Sequence, residues 1–177
     1  MSRSELEQEF LGDHRKMTRA FRDLIDVVTK NDVDQIRALA THLNQIAGPH
    51  IAFEESILYP TVDRNVGDNL SQEFRREHNT ARAAIAQLVQ QTEPLSPAER
   101  KRVLQQLQVG FDHAVSCGSL LSHLTVATAD EQQDMLQRLQ DYREQQCLWT
   151  EAGRTPTSQT APITDQGAPG LNATDAT

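Results

Sequence analysis

Four segments of this chain repeat apolar side chains at alternating spacings of three and four, and each carries a histidine on or beside that stripe. Such spacing is the period of an amphipathic helix, and no segment shows the two-residue alternation of a half-buried strand. The first helix opens at Ser4-Glu5-Leu6-Glu7, a capping box, and runs through Leu6, Phe10, His14, Met17, Phe21, Leu24 and Val28. The second starts at Asp32 and carries Ile36, Ala40, Leu43, Ala47, His50, Glu54 and Ile57; Gly48-Pro49 should kink it and Pro60 should stop it. A third, opening near Asn69 or Ser71, places Phe74, His78, Ala81, Ile85 and Leu88 on one face. Ser96-Pro97-Ala98-Glu99 combines an N-cap, a proline at the first helical position and an acid two residues later. The helix it starts carries Val103, Leu107, Gly110, Ala114, Cys117 and Leu121 inward, with His113 at the stripe's edge. Thr128 opens a fifth, whose face is Met135, Leu139, Tyr142 and Trp149. The expected fold is all-α, an up-down-up-down antiparallel four-helix bundle with a short fifth helix against one end.

Residues 1–149 are expected to form that bundle and residues 150–177 a disordered tail. The tail holds three of the seven prolines and almost no large apolar side chains, so it cannot offset its own backbone entropy by burial. It also accounts for the low hydrophobic fraction of 37%. With 17 Lys+Arg against 25 Asp+Glu the net charge is -8, which disfavours phosphate backbones and anionic lipid. No stretch approaches the roughly 18 apolar residues of a membrane span, and the start has no signal-like apolar run. Two cysteines make no disulfide framework. The chain is therefore expected to be soluble and cytoplasmic, with neither nucleic acid nor membrane as a partner.

The histidines narrow the chemistry. His14, His50, His78 and His113 each come from a different bundle helix, so four imidazoles can meet at the axis. His50 and Glu54 lie one turn apart on one face, and His113 and Cys117 repeat that spacing. The intervals repeat as well, with 35 residues between His14 and His50 and 34 between His78 and His113. The chain thus reads as two helical hairpins, each bringing two histidines and one further donor. Imidazoles suit Fe, Zn and Mn, and a carboxylate can bridge two cations and offset their charge. A lone histidine on an apolar stripe is ordinarily a core residue; four in repeated register, with a carboxylate among them, point to a metal. His42 and His123 fall off the stripes and are expected at the surface, and Cys147 is expected to serve packing.

The run His50-Ile51-Ala52-Phe53-Glu54-Glu55-Ser56-Ile57-Leu58-Tyr59-Pro60 resembles the motif of hemerythrin-like (HHE cation-binding) domains, His-x-x-x-Glu-Glu-x-x-Leu-Phe/Tyr-Pro. Asp13-His14 and Glu77-His78 stand where that family has its first- and third-helix histidines, and the likeness spans roughly Leu6 to Leu121. The resemblance implies a non-haem iron site, di-iron in most members with a single iron as the alternative. His14, His50, Glu54, His78 and His113 would be its ligands and Glu54 the bridge. It further implies a small diatomic ligand (O2 or NO) or peroxide as the partner, and a role in binding or in iron and redox sensing.

Two departures qualify the resemblance. Cys117 stands where the family has a second bridging carboxylate, and Arg82 where oxygen carriers have a further histidine. Reversible oxygen carriage is therefore not expected. Cys117 is open to three readings: a thiolate ligand, an unligated thiol exposed to activated oxygen, or a small core residue in a degenerate half-site. Other readings of the whole protein are an iron enzyme that reduces peroxide or NO, and a structural zinc bundle.

Overall fold

The computed structural model describes residues 4–66, 70–124 and 128–151, and the described chain is helical with no strands. Its helices are α1 (Glu5–Lys30), α2 (Val33–Phe53), α3 (Tyr59–Val66), α4 (Leu70–Val89), α5 (Pro97–Ser116) and α6 (Ala129–Gln145). A π-helical turn, Glu54–Leu58, joins α2 to α3, and a 3-10 stretch, Cys117–Leu124, follows α5. The expected tail, apart from its first two residues, lies outside the described residues.

The start signals act as their chemistry demands. Ser4, Ser96 and Thr128 each accept a hydrogen bond from the backbone N–H three residues on, and the Glu7, Glu99 and Glu131 carboxylates each accept one from the cap residue's backbone N–H. Asp32 caps α2 through Gln35 N–H. Between α1 and α2 the chain turns at Asn31, whose left-handed backbone (φ 60) suits asparagine. The Asn31 side chain donates to Leu95 O at 3.0 Å and accepts from Leu95 N at 2.9 Å, tying this turn to the α4–α5 connection.

Helices α1, α2, α4 and α5 form a ring in which α1 packs on α2 and α5, and α4 on α2 and α5. One apolar cluster, including Phe21, Leu24, Ile36, Leu43, Ile85, Leu88 and Leu107, fills the ring's interior. A second, with Leu6, Phe10, Phe53, Leu58, Tyr59, Cys117, Leu120 and Leu139, joins the other ends of the helices to α6. The four bundle histidines lie among these side chains, with the Phe10 ring 4.5 Å from that of His14 and 4.6 Å from that of His50.

Three expectations require correction. Pro60 does not stop the second helix; the chain continues through it into α3. The π turn is the reason. Tyr59 N–H reaches back five residues to Glu54 O, and in that register Pro60 would have donated to Glu55 O. Arg75 supplies the missing donor from α4, its guanidinium lying 2.9 Å from Glu55 O. Next, the fourth helix does not remain α-helical to Leu121 but tightens to 3-10 geometry at Cys117. Finally, Trp149 is not on the fifth helix, which ends at Gln145 with Gln146 in the left-handed region (φ 51). Trp149 lies beyond that cap and is buried in the larger apolar cluster. The segment is pinned to α2: Trp149 N–H donates to Asn44 O at 3.0 Å, and Thr150 N–H to Asn44 Oδ1 at 2.9 Å. At Gly48–Pro49, α2 remains continuous.

Gly48 is needed for this closure. A Cβ there would overlap the Cys147 carbonyl and stand 2.7 Å from Trp149 N. At Gly12 on α1 a Cβ would meet nothing nearer than the end of Arg15, at 3.7 Å. Gly48→Ala is therefore expected to destabilise the protein by about 1–3 kcal/mol. Gly12→Ala should stabilise it by about 0.5–1 kcal/mol through helix propensity. Urea denaturation midpoints, moving in opposite directions, check both.

Candidate metal centre

Position 54 is where the second helix changes winding. Five residues advance an α-helix by about 500°, roughly 140° past the starting face, whereas i→i+5 winding closes nearer to one turn. The π turn thus returns Tyr59 to the face of Glu54, and both are fully buried. Moving a carboxylate out of water costs several kcal/mol unless donors replace the lost hydration. Here they come from every bundle helix.

The donors sort by the two carboxylate oxygens. Toward Oε1 face His50 Nε2 at 3.3 Å, His14 Nε2 at 3.6 Å and Cys117 Sγ at 3.0 Å. Toward Oε2 face His78 Nε2 at 3.1 Å, His113 Nε2 at 3.8 Å and the Tyr59 hydroxyl at 3.3 Å. The ring centroids of His14 and His50 are 4.5 Å apart and those of His78 and His113 4.4 Å. One carboxylate therefore stands between two pairs of imidazoles.

Three of the four outer nitrogens meet an acceptor at hydrogen-bond distance, and that of His50 faces a carboxylate at longer range. His14 Nδ1 lies 3.1 Å from Phe10 O, and His50 Nδ1 3.5 Å from Asp13 Oδ2. His78 Nδ1 lies 2.9 Å from Glu55 Oε1, and His113 Nδ1 2.9 Å from Glu77 Oε2. Acceptors there favour the proton on Nδ1 and leave Nε2 lone pairs turned inward, as ligation requires. Behind Asp13, Arg143 of α6 donates to Oδ2 through Nη2 at 2.7 Å and Nε at 3.2 Å. That bidentate contact fixes the carboxylate which in turn faces His50.

Protonation in the metal-free protein follows from this crowding. Burial alone would make every group neutral. It raises Glu54, but the charge of His50 and bonds from His113, His50 and His78 hold that carboxyl well below its ordinary range. Burial likewise pulls His50 down, yet the Glu54 charge and the Asp13 bond overcome it and raise its pKa to about 9. His78 is shifted upward against burial by its bonds to Glu54 and Glu55. For His14, burial and the His50 charge act together and lower the pKa to about 4. Burial, then the Glu54 charge, push the Cys117 thiol well above its usual range, so it remains an S–H donor. The Glu54 carboxylate thus raises an imidazole on either side of it, His50 and His78.

Donor chemistry fits a metal. His14 Nε2 and both ring nitrogens of His50 are buried and have no hydrogen-bond partner among the described residues; a cation between the two Nε2 atoms and Glu54 would supply one for each of those two. His78 Nε2 and His113 Nε2 face each other at 2.9 Å, so at least one must carry a proton unless a cation takes its place. His14, Glu54, His113 and Cys117 also offer ligand atoms within 4.8 Å of one another.

The structure brings all six expected residues, His14, His50, Glu54, His78, His113 and Cys117, into one buried cluster. His42 is exposed, as expected, and the His123 side chain lies outside the described residues. Cys147 is half-buried, with its carbonyl passing over Gly48. Sequence reasoning assigned no role to Asp13, Glu55, Tyr59, Glu77 or Arg143. The signal was crossed: Asp13 and Glu77 precede His14 and His78 in the chain but serve His50 and His113 across helices.

Loss of such an outer acceptor costs metal sites 10–100-fold in affinity, as an order of magnitude. Asp13→Asn is expected to weaken metal binding by roughly that factor, and Arg143→Met by a smaller one, because Asp13 keeps its Lys16 contact at 3.1 Å. Competition with a chromophoric chelator measures both.

The hemerythrin HHE cation binding domain family matches residues 6–115, so α6 and Trp149 lie outside the matched region. No curated protein and no solved structure matches the chain. The match covers more than half the chain and contains five of the six clustered donors. This protein belongs to the hemerythrin HHE cation-binding family.

Proposed function

We propose that the protein holds two non-haem irons across Glu54 and uses them to bind or sense O2, NO or peroxide. The observation that carries this reading is the placement of one buried carboxylate between two imidazole pairs, with each oxygen facing one pair. His14 and His50, with Cys117 beside them, would hold one iron; His78 and His113, with Tyr59 beside them, the other. Bound iron would supply an open coordination position for a diatomic or peroxide and a change of oxidation state. The outer carboxylates orient the imidazoles, and the apolar side chains around them exclude water. Iron is favoured over a structural zinc site because a fused, carboxylate-bridged cluster of imidazoles exceeds what one closed tetrahedral ion needs. The up-down-up-down order belongs to the same reading, supported by the Asn31–Leu95 bonds that bring the α1–α2 turn to the α4–α5 connection.

A second reading has its own observation. The mutual 4.8 Å grouping of His14, Glu54, His113 and Cys117 is the size of a single-ion site and cuts across the two pairs. That arrangement would take one iron with a thiolate ligand.

Aerobic purification with metal analysis and absorption spectra tests the proposal. Iron with a spectrum that responds to O2, NO or peroxide is the expected result. Zinc alone, with no response, contradicts it. Thiolate ligation adds a charge-transfer band that Cys117→Ala abolishes. The protonation pattern gives a further expectation. His50 retains its proton below a pKa of about 9 in the metal-free protein, and a metal must displace it. Apparent affinity should therefore rise between pH 6 and 9, by roughly tenfold per pH unit for each displaced proton. Chelator competition across that range checks the slope.

A further inference from the structure

The six clustered donors are buried, from 0% exposed at Glu54 and Cys117 to 4% at His14 and His113, so a metal reaches them only when some element moves aside. Most elements cannot move without dispersing the site. α1, α2, α4 and α5 each bring a histidine, the π turn brings Glu54, α3 begins with Tyr59, and the 3-10 stretch begins with Cys117. Among the described helices, α6 alone carries none of these groups.

Yet α6 and the turn after it cover both halves of the centre. Arg143 lies against Asp13, whose carboxylate faces His50. Trp149 sits edge-on to the His78 ring, centroids 6.4 Å apart, and closes a cavity of about 10 Å³ that His78 and His113 also line. One strap, residues 129–151, thus stands no more than one side chain away from each imidazole pair.

The strap is lightly attached for its length. α6 buries Met135, Leu136 and Leu139, whereas α1 buries ten side chains. Beyond α6, Trp149 is buried, and the neighbouring ties are polar. Arg143 pairs with Glu9 and Asp13, and Asn44 and Thr150 exchange a hydrogen bond in each direction, at 3.1 and 2.9 Å. Two features oppose the closed position. Trp149 Nε1 is buried with no hydrogen-bond partner among the described residues, and Gln146 occupies the left-handed region at φ 51. An element with few apolar contacts opens by itself at lower cost than the whole fold.

We propose that this strap is the gate of the metal centre: iron enters and leaves when residues 129–151 lift from α1 and α2, and the strap sets the rate of exchange. The inference rests on the metal-binding reading. A gate differs from a mere support. A support strengthens the bound state and slows release alone, whereas a gate slows entry and release together, because both pass through the open form.

Asn44→Ala removes both side-chain bonds to Thr150, and Thr150→Ala removes one of them from the strap's own side. Neither residue is a donor of the centre or an acceptor behind one. Val28→Ala, a truncation in the bundle core three residues before the Asn31 turn, controls for general destabilisation. Trp149 is the only tryptophan, and its place beside His78 lets its fluorescence report the arrival of iron(II) in anaerobic stopped flow. Release is followed with excess chromophoric chelator. Asn44→Ala should raise both rates about tenfold, and Thr150→Ala both by a smaller common factor, with affinity changing by no more than about twofold. Val28→Ala should leave both rates near those of wild type. Hydrogen exchange of the metal-free wild type should find α6 amides at least about tenfold less protected than those of α1 and α2. Faster release with unchanged entry would make the strap a support and overturn the gate. So would unchanged rates in both strap variants, α6 amides as protected as those of α1 and α2, or an equal acceleration in Val28→Ala. If Asn44→Ala does not fold, Thr150→Ala and the wild-type exchange pattern decide. Wild type that holds no iron would instead overturn the metal-centre reading.

Discussion

Everything around the centre follows from a carboxylate buried where no water can reach it. Glu54 is fully enclosed, and its ionised form persists because four imidazoles, a thiol and a phenol converge on its two oxygens. A charge in that position constrains each helix. α1, α4 and α5 must each present one histidine at the same level, and α2 must present His50 one turn before Glu54. The alternative, a neutral carboxyl among apolar side chains, would remove the inner charge that raises His50 and His78 and leave only the outer carboxylates Asp13 and Glu55. Removing one partner of such a set is costly because the remaining charge stays buried.

The irregular parts of the backbone serve that carboxylate. With ordinary α winding, Tyr59 would point well away from Glu54; the π turn brings its hydroxyl to Oε2. Single π turns inside helices are rare and recur at functional sites. Pro60 is tolerated because Arg75 takes over the donor it lacks, and the same guanidinium lies 5.2 Å from the centre of the Tyr59 ring. Reinforcement also arrives from beyond the family-matched region. Arg143 holds Asp13 behind His50, and Trp149 closes the larger cluster with its ring edge-on to Phe21, centroids 6.1 Å apart. α6 and its following turn therefore belong to the site's support.

Much of this was legible because helical periodicity and capping are local. The starts at Ser4, Asp32, Ser96 and Thr128 depend on side-chain chemistry within four residues, and the structure reproduces them. The donor set was legible for the same reason: a histidine on an apolar stripe points wherever the stripe points. What could not be read depends on distance across the fold. Nothing next to Pro60 announces that Arg75, fifteen residues on, will satisfy Glu55 O. Nothing in Asp13-His14 shows that the aspartate faces His50 instead of its neighbour. Trp149 fitted the period of the last helix, but the left-handed cap at Gln146 turned the chain back onto α2, where Asn44 and Gly48 receive it.

The division of Glu54 between two imidazole pairs is the central claim, and metal stoichiometry tests it most directly. Anaerobic titration of the metal-free protein with iron(II), followed to saturation, should end at two irons per chain, and Glu54→Gln should fail to hold that pair. An endpoint of one iron per chain, or the same two-iron endpoint and affinity in Glu54→Gln, would contradict the account.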